Sequence, residues 1–157
     1  MNEEHQHIAS AFDRDLQAVQ AQIMKMGGLV ERAILEAADS LDARDEEKAE
    51  TVREADRAID ALEELINDEC ARIIALRAPT AIDLRLVLTV LKIAGNLERI
   101  GDYSKNMAKR TSILTRMKPI EGATVSLKRM ARDVELMLKD ALDAYVQRDA
   151  ELAMDVI

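Results

Sequence analysis

The sequence predicts an all-α fold, an antiparallel three-helix bundle followed by the beginning of a second, similar bundle. Apolar residues recur at helical spacing over long stretches of the chain. Five Gly and two Pro in 157 residues leave too few turn formers for a strand-and-turn fold. Residues are 48% hydrophobic but only 2% aromatic, so the core must be built from Leu, Ile, Val, Ala and Met, which pack helix on helix.

The first helix is read from Ile8, Phe12, Leu16, Val19, Ile23, Met26, Val30, Ile34, Ala37 and Leu41, which follow one another at steps of three and four. Gly27 and Gly28 interrupt it as a weak spot or a close helix crossing rather than an end. Asp45 offers an N-cap ahead of Glu46 and Glu47, acids that suit a first turn. The second helix then turns Val52, Ile59, Leu62, Ile66, Ile73 and Leu76 inward. Pro79 closes the connection, and Thr80, three residues before Asp83, resembles a capping box. The third helix carries Leu86, Val90, Ile93, Leu97, Ile100 and Met107 inward. Three such helices of about 30 residues make a bundle roughly 45 Å long. Pro119 and Gly122 mark a linker, a further helix runs from about Thr124 to Val146, and Asp149 caps the next. The domain reading is a first unit over 1–112, a linker over 113–123 and the start of a second unit over 124–157.

That second unit rests on an internal repeat. A shift of 104 places Met26 on Met130, Val30 on Val134, Glu31 on Glu135, Ala37 on Ala141, Asp39 on Asp143 and Arg44-Asp45 on Arg148-Asp149. The counterparts of the third helix would fall beyond Ile157, so the second bundle is expected to be truncated. Helices without their partner expose an apolar face, which predicts association between chains, a homodimer being the simplest case.

Charge narrows the function. At −8 the chain is acidic and has no Lys/Arg cluster, which argues against a nucleic-acid role. The polar N-terminus does not read as a signal peptide, and no apolar run approaches the roughly 20 residues a membrane span needs. A single cysteine, Cys70, excludes an internal disulfide; beside Ile73 and Ile74 it reads as a buried, inert thiol. Cytoplasmic residence is the expectation. Met24, Met26, Met107 and Met130 read as core filler or an adaptable contact surface.

Glu98 and Asp102 are the main functional candidates, because carboxylates four apart share one helix face and repel until a multivalent metal or a basic partner neutralises them. With Asn106 one turn on, this oxygen-only set suits Mg²⁺, Mn²⁺, Ca²⁺ or Fe³⁺ if another helix adds ligands. Asp56 and Asp60 repeat the spacing on the second helix and are candidates to face the first pair. The alternative is a solvated acidic stripe balanced by Lys92, Arg99 and Lys105. Gly95 and Gly101 leave the backbone near the acids bare, which gives room for a ligand or a crossing helix. His5 and His7 are weaker metal candidates near the N-terminus. Ferritin-like iron storage, the alternative class, needs Glu-x-x-His on bundle helices, and the chain has no other histidines. No nucleophile-base pair or glycine-rich phosphate loop is found, so the chain is not read as an enzyme.

Three segments resemble the PhoU family: Asp83-Leu84-Arg85, Leu91-Lys92-Ile93 and Leu97-Glu98-Arg99-Ile100-Gly101-Asp102 with Asn106; Met24 to Glu31; and Cys70 to Ala75 with Arg77, Pro79 and Thr80. The resemblance implies two similar three-helix bundles and a negative regulator of phosphate uptake and of the phosphate-starvation response. It further implies an adaptor, peripheral to the inner membrane, between the ATPase subunit of the phosphate ABC transporter and the sensor histidine kinase. It also implies iron or another metal such as Mg, Mn or Zn at Glu98 and Asp102. Arg85 and Arg99 are the candidate partner contacts.

Overall fold

The computed structural model describes residues 2–120 and 122–157, and of residues 2–10 the backbone alone. The readings of His5, His7 and Ile8 as side chains therefore lie outside the described residues. The described elements are helical: α1 (Asn2–Ala43), α2 (Glu46–Arg77), α3 (Ala81–Lys109), α4 (Thr111–Leu114), α5 (Ala123–Gln147) and α6 (Ala150–Asp155).

α1, α2 and α3 pack against one another, and α5 lies against α1. Ion pairs at both ends fix the antiparallel sense of α1 and α2, with Lys48 3.6 Å from Asp39 beside the turn and Arg77 2.9 Å from Asp15 at the far end. The core forms where the apolar stripes meet, around Ile23, Met26, Val30, Ile59, Ile66, Ile73, Val90 and Leu97, all at most 2% exposed. Asp45 caps α2 as the sequence predicts, its carboxylate accepting from the Lys48 amide at 2.9 Å. Asp149 caps α6 in the same way, accepting from Glu151 and Leu152. The residue before each cap is an arginine in the left-handed region, Arg44 at φ 52° and Arg148 at φ 55°, so one turn geometry serves both connections.

Several expectations are corrected. Thr80 stands at the N-cap of α3, but its side chain makes no capping bond; only its carbonyl is used, by the Asp83 amide. The buried strip of α3 is Val87, Val90, Ala94, Leu97, Gly101, Ser104 and Ala108. Leu86, Ile93, Ile100 and Met107 face inward as read and pack against the core, but flank this strip half-buried, where Ala94, Gly101, Ser104 and Ala108 share the closest approach with Val87, Val90 and Leu97. Leu76 is 63% exposed near the end of α2, and Met24 and Met130 are exposed although Met26 is core. The short α4, which straddles the boundary read between 112 and 113, is an addition to the predicted elements. It is held to α1 by a buried Ser40–Thr111 hydroxyl pair at 3.0 Å.

Gly27 is the crossing that the glycine pair allowed. A Cβ there would stand 2.3 Å from Leu142 Cδ1 of α5, whereas Gly28 faces open space. α1 runs unbroken through both.

Candidate functional site on the seam between α2 and α3

α2 and α3 cross closely where Gly101 faces Ile59; a Cβ on Gly101 would lie 3.1 Å from Ile59 Cδ1 and 3.6 Å from Asp56 Oδ1. The bare backbone near the acids thus accommodates a crossing helix. The close approach buries Asp56, which is 3% exposed, so this residue is no ordinary surface charge. Burying a carboxylate costs several kcal/mol unless it is paired, and the pairing comes from α3. The Lys105 ammonium donates to Asp56 Oδ2 and, at 3.0 Å, to Asp102 Oδ1, bridging the two helices. Asp56 Oδ1 has no hydrogen-bond partner.

The two predicted acid pairs do face one another. Burial, then the charges of Asp102, Asp60 and Glu63, push the Glu98 carboxyl above the usual carboxylate range. Burial and the adjoining Asp56 push Asp60 up as well, with Lys105 opposing. Hydrogen bonds to Asp56 and Asp102 hold Lys105 firmly protonated, its pKa raised. Five carboxylates, Asp56, Asp60, Glu63, Glu98 and Asp102, therefore share the seam with one ammonium. Asn106 is exposed, its side-chain carbonyl turned to Lys109 at 3.3 Å.

Sequence reasoning missed Glu63 and gave Lys105 only a balancing role. A signal for both was present. Glu63 lies seven residues after Asp56, on the same helix face, and Lys105 lies three after Asp102.

Lys105 decides whether these residues suit a metal ion. Its ammonium already occupies the position between Asp56 and Asp102. Among the described residues, no three His, Cys, Asp or Glu side chains are disposed to hold an ion. With Lys105 in place the seam does not fit a metal centre.

A second, outer face of α3, beside the acids, has the reverse charge. Arg85, Thr89, Lys92, Asn96, Arg99, Tyr103, Asn106 and the C-cap Arg110 follow one another along it, all exposed, with no carboxylate among them. Among the described residues, Arg85, Lys92, Arg99 and Arg110 form no ion pair. No helix among the described residues is long and apolar enough to cross a membrane.

The family model for the PhoU domain matches residues 23–111 and 127–157. The chain is 44% identical over 150 residues to the phosphate-specific transport system accessory protein PhoU homolog of Zymomonas mobilis, covering 96% of this chain and 63% of that protein. It is 36% identical over 152 residues to the phosphate-specific transport system accessory protein PhoU of Escherichia coli, covering 97% and 63%. The crystal structure of PhoU from Pseudomonas aeruginosa matches with a TM-score of 0.86 at 37% identity, over 92% of this chain and 69% of that one. The chain spans about three fifths of the length of the curated relatives it matches.

Proposed function

The chain belongs to the PhoU family, and from that premise we propose that it is a negative regulator of phosphate uptake and of the phosphate-starvation response. It works by binding, as a cytoplasmic adaptor between the ATPase subunit of the phosphate ABC transporter and the cytoplasmic part of the sensor histidine kinase. The relatives' names, which describe accessory proteins of phosphate-specific transport, support the setting. The observation that carries the binding role is the acid-free outer strip of α3. On a chain of net charge −8, a row containing Arg85, Lys92 and Arg99 with no internal carboxylate partner is a local field of opposite sign. Such a field steers and orients an acidic surface on a partner, setting on-rate and register more than raw affinity.

The test is capture of purified ATPase subunit and kinase cytoplasmic part by this chain and by an Arg85→Glu/Lys92→Glu/Arg99→Glu variant. Reversing three rim charges is expected to lower capture by at least about tenfold at low salt, with the helical circular dichroism unchanged. Equal capture by a folded variant contradicts the strip as the contact surface. No capture of either partner by the unaltered chain contradicts the adaptor role.

A further inference from the structure

We propose that the outer strip of α3 seats a single partner helix that lies along it and carries carboxylates at seven-residue intervals. This deepens the adaptor reading and rests on it for the setting, naming the chemistry that the strip selects in a partner. Spacing carries the inference first. Arg85, Lys92 and Arg99 follow one another at intervals of seven, which places the three cations about 10.5 Å apart along the helix and turns each by about 20° from the last. A second helix crossing α3 at about 20° repeats with the same period and drift, so carboxylates one heptad apart on it meet all three cations in turn. An extended strand repeats its side chains on one face at about 6.8 Å and falls out of step with them.

The surroundings of the cations agree. Thr89, Asn96 and Asn106 lie among them without charge, and Tyr103, 60% exposed, stands one turn beyond Arg99. Tyrosine and arginine are the side chains that most often anchor an interface. α3 packs against α1, α2 and α4, and no other described helix crosses this face. An anionic membrane surface offers negative charge too, but spread over an area. The cations form a narrow line with Asp102 close beside it on α3, and the whole chain carries −8, so a bilayer would meet acids together with the cations. A line of charge of this kind favours a helix over a lipid surface.

The probe is a four-heptad peptide of Ala and Gln with Glu at two positions of every heptad, one turn apart, so that its carboxylates share one face. Its control has the same composition with the Glu residues distributed around the helix. In fluorescence anisotropy at low salt, where surface charges are least screened, the one-faced peptide is expected to bind at least about tenfold more tightly than the control. Arg85→Glu/Lys92→Glu/Arg99→Glu is expected to abolish that preference with helical circular dichroism unchanged, and Lys92→Gln/Arg99→Gln reads the same loss should the reversal fail to fold. Equal affinity for the two peptides overturns the proposal, as does saturable binding of neither, or a preference that survives in a folded variant. Phosphatidylcholine vesicles containing phosphatidylserine are expected to leave the chain in solution; sedimentation of the unaltered chain with them, but not of the variant, overturns the proposal in favour of a lipid surface. The peptides involve neither the ATPase subunit nor the kinase. Failure here with capture of those partners intact strikes the helix and leaves the adaptor role, whereas loss of capture with the peptide preference intact strikes the adaptor role alone.

Discussion

At Glu98 the balance of effects runs against stability. The carboxylate shares its face with Asp102 and meets Asp60 and Glu63 across the seam, while the bonds of Lys105 go to Asp56 and Asp102. Glu98→Gln is therefore expected to stabilise the fold by about 0.3 kcal/mol, the size of a like-charge pair one turn apart; urea unfolding measures it, and a loss of that size contradicts the repulsion. The sign with pH agrees. The folded pKa of Glu98 lies above the unfolded one, so the folded state holds the proton more tightly and stability rises as pH falls from neutral through the folded value. The Gln variant lacks that rise. Cys70 is simpler. Burial, and then the charge of Glu69, push its thiol up to about 11. The contribution of the neutral thiol is whole below the unfolded value near 9 and is lost as pH rises through about 11. Iodoacetamide at about pH 8 should label Cys70 at the rate of unfolding and no faster. Labelling that mild urea leaves unaccelerated would show an open thiol. The burial of Cys70 was legible from its apolar neighbours, whereas the partner of Asp56 was not, because an i, i+4 pattern shows which face a carboxylate occupies and not which neighbouring helix reaches it.

The helices differ in how they announce themselves. The period of α1 could be read without help, since from Phe12 to Leu41 every third or fourth residue is apolar and buried on the same face. The Asp45 and Asp149 caps were legible too, because an aspartate N-cap is satisfied by amides within three residues. Thr80 misled for a tertiary reason: Ala78 and Ala81 both adopt the left-handed region around Pro79, and the connection sets the entry to α3 without the threonine hydroxyl. The buried line of α3 keeps Val90 and Leu97 as read but also takes in Ala94, Gly101 and Ala108, because close crossing favours small residues. Crossing also separates two adjacent glycines of α1. Gly27→Ala drives a methyl into Leu142, itself buried, and is expected to cost about 1–3 kcal/mol while loosening α5 from α1. Gly28→Ala meets nothing within 4 Å and is expected to stabilise by up to about 1 kcal/mol through helix propensity. Thermal unfolding of the two variants tests this, and shifts of the same sign contradict the placement of α5 on α1.

Across the whole molecule, charge is divided by α3. Glu98 and Asp102 lie on the side toward α2, where Lys105 bonds Asp102 and Asp56, while Arg85, Lys92 and Arg99 turn outward. A separate apolar groove of about 290 Å³ runs between Ile100, Tyr103 and Met107 of α3 and Leu127, Met130 and Val134 of α5, so α5 touches the bundle chiefly through α1. α5 is held there at one end by Lys128, 2.9 Å from Asp39 and 3.2 Å from Asp42, and at the other by a Gln20–Tyr145 hydrogen bond. The repeat of Arg44-Asp45 as Arg148-Asp149, with the same backbone turn, supports reading α5 and α6 as a second copy of the start of the chain. Bundle architecture was legible from period and composition. The outward strip was not isolated, because its arginines and lysine look like ordinary solvated charge until the structure shows Asp102 bonded to Lys105 and, among the described residues, no carboxylate paired with Arg85, Lys92 or Arg99. The adaptor account makes that strip the working surface. Its most direct test is a photo-crosslinking residue placed at Asn96 in the strip or at exposed Glu64 of α2, with the transporter ATPase subunit and the kinase cytoplasmic part offered in turn. The account predicts crosslinks to a partner from position 96 and none from position 64; crosslinks from position 64 alone, or equally from both, contradict it.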